Sequence, residues 1–171
     1  MTVFEPRPYW NINHESSGPV DDDTEVPDGA EIVNCVFASG LEFALFYHAP
    51  SRMKRVCIRK QNNVRTYGEL KKLYPNVDSE NVVFFENNDQ KRLESYSFSM
   101  YAFSASDFRR LPNGEFVAYE TVYPISEKRM SNPIKQMNNS GFQVLFVSDL
   151  RFLIKKLENL GLHFGSQAIQ L

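Results

Sequence analysis

A carboxylate, a hydroxyl group and two aromatic rings in this sequence could line one small site. Glu115 opens the strand-like run EFVAY directly after the turn residues 112–114. Ser39 lies between an apolar run and a helical pattern, with Phe37 before it and Tyr47 after it. A carboxylate accepts hydrogen bonds, a hydroxyl donates and accepts them, and an aromatic ring offers a face for stacking. The residue types therefore indicate a pocket around Ser39 and Tyr47, with Glu115 as its candidate acid.

Two successive patterns must position Ser39 and Tyr47. The β-branched and aromatic run Val33–Ala38 predicts a buried strand, because it is short and is bounded by glycines. After Ser39, apolar residues recur at helical spacing from Leu41 to His48, until Pro50 ends the pattern. A strand that turns into a buried helix places Phe37, Ser39 and Tyr47 around one concavity. The alternative is a core strand and a core helix that bind no ligand.

Further patterns along the chain predict an α+β fold with a mostly antiparallel sheet and short helices. The clearest is the alternation of apolar and polar residues in Ser95–Phe103, which is typical of a strand. The other predicted strands are Lys54–Lys60, Val82–Phe85, Glu115–Tyr119 and Gln143–Val147. The predicted helices are Tyr67–Tyr74, Asp107–Leu111, Ile134–Asn139 and Asp149–Leu160. We expect Asp149–Leu160 to be the longest helix. The 171 residues fit a single domain over 1–171, with an irregular N-terminal segment at 1–29 and a globular core at 30–171.

Composition excludes several classes of function. A net charge of −2 gives no overall field that would attract nucleic acid. No apolar run is long enough to span a bilayer and no leader pattern is present, so we expect a cytoplasmic protein without a membrane partner. Cys35 and Cys57 lie in apolar runs, which predicts free thiols. The three His and two Cys are not at ligand spacing, so we expect no metal. The aromatic content of 13% favours strands and an aromatic-lined pocket.

Two segments resemble motif blocks of the ADP-ribosyltransferase superfamily, in its poly(ADP-ribose)-polymerase-like branch. The segment VFASGLEFALFY resembles the second block, in which a strand ending in Phe37-Ala38 leads into a helix ending in Tyr47. The segment NGEFVAYETVYPI resembles the third block, whose strand opens with the glutamate at Glu115. The resemblance implies a split-sheet core, NAD as the substrate, and transfer of ADP-ribose to a macromolecular acceptor, either protein or nucleic acid, as in an effector or toxin.

The resemblance also implies a role for each residue. Glu115 would hydrogen-bond the ribose 2′-hydroxyl and stabilise the oxocarbenium-like state formed as the nicotinamide bond breaks. Tyr47 would stack on nicotinamide, and Ser39 would bind its amide or the ribose. Each residue also has an ordinary structural interpretation: Glu115 as a solvated strand start, Tyr47 as a core aromatic and Ser39 as a helix N-cap. Glu120 is a competing carboxylate, but it falls on the opposite face of its strand.

Two departures from the family pattern support a different hypothesis. The family's first block is a strand with a His that holds the NAD ribose, whereas this sequence begins with TVFEPRPYW. Many members have a first active-site Tyr where this chain has Val36. A non-catalytic binding or interaction module on the same fold would explain both departures. An unrelated α+β protein with accidental matches is a third hypothesis. The sequence does not specify the acceptor or the oligomeric state.

Overall fold

Stretches rich in β-branched and aromatic residues form most of the strands, as their propensities favour. The structure is a computed structural model and describes residues 2–10, 12, 18–20, 26, 28–40, 50, 53–60, 64–112 and 115–159. The strands are β1 (Arg7–Trp10), β2 (Gly18–Pro19), β3 (Ile32–Ala38), β4 (Val56–Arg59), β5 (Asn81–Glu86), β6 (Ser97–Ala102), β7 (Arg109–Arg110), β8 (Phe116–Ala118), β9 (Ser126–Ser131) and β10 (Phe142–Val147). The helices are α1 (Val64–Leu73), α2 (Gln90–Ser95), α3 (Pro133–Asn139) and α4 (Leu150–Asn159).

The chain divides into two compact units, each made of two separate stretches of sequence. The first unit contains Met1–Ala44 and Ser99–Arg129. The second contains Leu45–Phe98 and Met130–Leu171.

Strands β6 and β9 form a two-stranded sheet. None of the described helices is both long and apolar enough to cross a membrane.

The first unit is built on a sheet with the strand order β2-β1-β3-β8-β7 and antiparallel neighbours. Successive side chains of a strand point to opposite faces, so β3 contributes to a separate apolar cluster on each side. We call one side the Ile12 face; its cluster contains Ile12, Cys35, Leu111 and Val117, with Tyr9, Val33 and Phe37 packed against it. The other is the Phe4 face, with Val36, Ala118 and Val122 packed by Phe4, Phe103 and Phe108. Trp10, at the end of β1, is 5% exposed.

The second unit is built on a three-stranded sheet with the order β10-β5-β4. Strand β5 is parallel to β10 and antiparallel to β4. Residues Val82 to Phe85 of β5 are fully buried, as expected for a central strand covered on both faces. Helices α1 and α4 pack on one face of this sheet and contribute Leu70, Leu153 and Leu157 to its core.

The predicted α+β class, with mostly antiparallel strands, is confirmed. Strands β3, β6, β8 and β10 form where periodicity predicts them, with ends that differ by one or two residues. The predicted helix Ile134–Asn139 is confirmed as α3, which begins one residue earlier. Its ends have typical cap residues: the Asn132 side chain accepts a hydrogen bond from the Lys135 backbone N–H at 3.0 Å, and Gly141 follows the helix with a φ of 84°. Regular periodicity and specific end residues are local signals, so they can be read from sequence.

The N-terminal segment is more regular than predicted. We predicted irregular structure for 1–29, but Arg7–Trp10 forms β1 and Gly18–Pro19 forms β2. Pro8 lies within β1, and its carbonyl accepts a hydrogen bond from the Val20 N–H at 2.9 Å. Proline cannot donate to a ladder and argues against a strand in sequence. Pairing with β3, which is set by tertiary structure, overrides that local signal.

Two other predictions also differ from the structure. Asp107–Leu111 is not a helical turn: a 3₁₀ turn covers Ala105–Asp107, and β7 follows it. Helix α4 forms as predicted, but it has ten residues, the same number as α1, so it is not uniquely the longest described helix. The predicted helix from Leu41 to His48 lies outside the described residues.

Candidate functional site

Antiparallel pairing of β3 with β8 places Ser39 next to Glu115. The ladder pairs Val36 with Ala118, Phe37 with Val117 and Ala38 with Phe116. Extending this register by one residue, beyond the ends of both strands, places Ser39 opposite Glu115. Side chains directly opposite each other point to the same face, with Cβ atoms about 4.5–5.5 Å apart. Phe37 and Val117 both belong to the Ile12 face, so Ser39 and Glu115 lie at the end of that face by alternation.

Strand β7 holds Glu115 from the other side. The Leu111 backbone N–H donates to the Glu115 carbonyl at 2.7 Å, which extends the β7–β8 pairing by one residue. Leu111 is buried at 3% exposure, whereas Glu115 is half-buried. The backbone of Glu115 is therefore held beside β7, while the residue as a whole is only partly covered. This geometry suits a carboxylate that binds a ligand at the end of a sheet.

Within the described residues, the hydrogen bond of the Ser39 hydroxyl is a weak one to its own chain. The hydroxyl oxygen lies 3.5 Å from the Gly40 carbonyl oxygen, far longer than the usual O–H···O distance of about 2.7–2.8 Å. A Cβ atom built on Gly40 would lie 4.0 Å from Cε2 of Phe116, an ordinary van der Waals contact. The chain just after β3 thus still runs beside the start of β8. The helix that Ser39 would cap falls outside the described residues, so the N-cap interpretation stays a prediction.

Phe37 is part of the packing beneath the site. Its ring stacks on Tyr9 with centroids 5.3 Å apart and planes 19° apart. Burial raises the pKa of the Tyr9 phenol, and the neighbouring Arg7 guanidinium opposes that rise. One ring face of Phe37 is therefore covered by Tyr9. Phe37 supports the Ile12 face next to Ser39, and its contact with a ligand stays a prediction.

The two remaining candidates have different outcomes. Tyr47 lies outside the described residues, and its place in the site stays a prediction. Glu120 is exposed in a bend beyond the other end of β8, five residues from Glu115. The three residues of β8 lie between the two carboxylates and by themselves extend about 10 Å. Glu115, and not Glu120, is therefore the carboxylate beside Ser39. Among the described residues, no three His, Cys, Asp or Glu side chains are grouped so that they could hold a metal ion.

Sequence reasoning missed Arg109, which shares the face of Glu115. Arg109 pairs with Val117 of the Ile12 face. Alternation gives the same orientation, because Phe108, one residue earlier, packs on the Phe4 face and Leu111, two residues later, packs on the Ile12 face. The sequence does contain a signal for strand β7, which carries Arg109: the tight turn at 112–114 is also typical of a hairpin between two short strands. The interpretation of Asp107–Leu111 as helical concealed it.

Comparison with known proteins places the chain in a family without assigning an activity. No curated protein and no solved structure gives a significant match. Residues 1–170 match the family described as DUF6886, a family of unknown function. The match covers nearly the whole chain, and the chain therefore belongs to the DUF6886 family.

Proposed function

We propose that this chain is an NAD-dependent ADP-ribosyltransferase-like domain that modifies a macromolecular acceptor. The observation that supports the proposal is the antiparallel pairing of β3 with β8. Its register, extended by one residue, sets Ser39 opposite Glu115. The resemblance drawn from sequence requires the end of the second-block strand and the start of the third-block strand to lie side by side. The pairing of β3 with β8 provides that arrangement, with both side chains on the Ile12 face.

The proposed reaction makes use of the carboxylate of Glu115. It accepts a hydrogen bond from the 2′-hydroxyl of the nicotinamide ribose. The bond between C1′ and the nicotinamide nitrogen then breaks, nicotinamide leaves with the electron pair, and positive charge develops on the ribose ring. A fixed negative charge stabilises this state, since it requires no reorganisation as the reaction proceeds. A nucleophilic atom of the acceptor attacks C1′ and loses its proton to solvent, while Ser39 binds the ribose.

A non-catalytic binding module is the second candidate. Val36, at the position of the family's first active-site Tyr, is 8% exposed and packs in the core of the Phe4 face. An apolar core residue cannot supply the hydroxyl that a Tyr would bring. This observation favours a fold that binds a ligand or partner without cleaving NAD.

Two matched glutamine substitutions separate the candidates. Glu115→Gln keeps the shape of the side chain and removes its charge, so we expect unchanged NAD binding by calorimetry and a loss of nicotinamide release of about 10²–10³-fold. Glu120→Gln makes the same change on an exposed residue away from the site and should leave both measurements unchanged.

Other results would contradict the enzyme proposal. Nicotinamide release that is equally fast in wild type and Glu115→Gln would exclude Glu115 as the catalytic carboxylate. NAD binding without nicotinamide release by the wild-type protein would instead support the binding module. No NAD binding at millimolar ligand would exclude an NAD site of either kind.

A further inference from the structure

The Ile12 face carries a cation close to Glu115. Arg109 pairs with Val117, and Leu111 lies opposite Glu115, so Arg109 is the diagonal neighbour of Glu115 across the β7–β8 hairpin. Diagonal neighbours in an antiparallel pair are about 7–8 Å apart. Arg109 is exposed on β7, which is last in the strand order β2-β1-β3-β8-β7. Its long side chain can therefore reach a ligand that contacts Glu115.

A dinucleotide at this site needs such a cation. Each phosphate of the NAD pyrophosphate carries a negative charge, and the pyrophosphate is attached to the same ribose whose 2′-hydroxyl Glu115 would bind. Placing it near an ionised carboxylate is unfavourable unless a positive group offsets the repulsion. The planar guanidinium of Arg matches phosphate oxygens with two parallel hydrogen bonds.

We propose that Arg109 binds the pyrophosphate of the dinucleotide held by Ser39 and Glu115, an inference that rests on the proposed function. Two neighbouring arginines are less suitable. Arg110 pairs with Phe116 and so projects toward the Phe4 face, away from Glu115. Arg7 shares the Ile12 face but lies on the other side of β3, opposite Cys35 and hydrogen-bonded to Tyr9. Arg109 thus makes the site specific for phosphate-bearing nucleotides over the corresponding nucleosides.

Adjacent arginines of opposite orientation provide a matched test. Binding of NAD, ADP-ribose and nicotinamide riboside is measured by calorimetry for wild type, Arg109→Gln and Arg110→Gln, with circular dichroism as the control for folding. We expect Arg109→Gln to weaken NAD and ADP-ribose binding about 10- to 100-fold, as loss of a charged hydrogen-bond pair implies. Nicotinamide riboside, which has no phosphate, should bind all three proteins equally. Arg110→Gln should bind all three ligands as wild type does.

The outcomes distinguish a failure of this inference from a failure of the proposed function. If wild type and both variants bind NAD equally well, Arg109 has no role in binding phosphate, while the NAD site stands. Equal weakening of NAD and nicotinamide riboside by Arg109→Gln would show that the residue supports the site and does not bind phosphate. Wild-type protein that binds none of the three ligands would overturn both proposals.

Discussion

The Tyr9 hydroxyl links the packing of the Ile12 face to pH. Its ring stacks on Phe37, and burial raises its pKa from the ordinary value of 10.0. A raised pKa means that the folded state favours the protonated form. The stabilisation is therefore fully present below about pH 10 and is lost as the pH rises through the folded-state pKa.

Substitution of this phenol should change the alkaline stability. Tyr9→Phe keeps the stacked ring and removes the ionisable group, so its free energy of unfolding should fall less steeply above about pH 10 than that of wild type. Urea unfolding at a series of pH values measures the difference. Tyr119→Phe, at an exposed position, is the control and should follow wild type. Parallel curves for wild type and Tyr9→Phe would show that the phenol ionises alike in the folded and unfolded states.

At the same scale, the sequence identifies Ser39 and Glu115 as candidate site residues but does not reveal Arg109. Ser39 and Glu115 each end or begin a patterned run, so their positions follow once the two runs pair. Arg109 lies in a two-residue strand without apolar alternation. The orientation of the Arg109 side chain follows from its pairing with β8 and from the packing of Phe108, one residue earlier, and Leu111, two residues later. Short strands of this kind depend on tertiary contacts that a local pattern does not contain.

Among the elements, helix α4 shows the strongest agreement between pattern and packing. Leu150, Leu153, Ile154 and Leu157 recur at helical spacing and are all buried. They cover one face of the β10-β5-β4 sheet together with α1. An amphipathic helix of this kind gains its stability mainly from the packing of its apolar face.

Truncation of one α4 leucine should test this packing. Leu157 is 0% exposed, so Leu157→Ala should lower the free energy of unfolding by about 2–5 kcal/mol through lost burial and a cavity. Phe152 is 57% exposed on the same helix and contacts Lys156, whose Nζ lies 4.5 Å from the ring centroid. Phe152→Ala should therefore cost less than about 1 kcal/mol. Similar losses for the two variants in chemical denaturation would contradict the assignment of the buried face.

At the scale of the whole molecule, each unit combines residues that are far apart in sequence. The central pair of the first unit joins β3 to β8, and the parallel pair of the second joins β5 to β10. Residues that contribute to one core are thus separated by a long stretch of the other unit's sequence. Periodicity predicts the individual strands but not which strand pairs with which. For this reason the α+β class could be predicted, whereas the strand order could not.

The burial of Trp10 gives the two units different spectroscopic signals. It is the single tryptophan of the chain, lies in the first unit, and within the described residues its indole N–H has no hydrogen-bond partner. Its fluorescence should be blue-shifted in the folded state and move to longer wavelength when the first unit unfolds. All four described α-helices belong to the second unit, so their far-ultraviolet circular dichroism signal reports on that unit. For the predicted single domain, the two signals should change at one urea concentration. Separate midpoints would reveal two folding units within one chain.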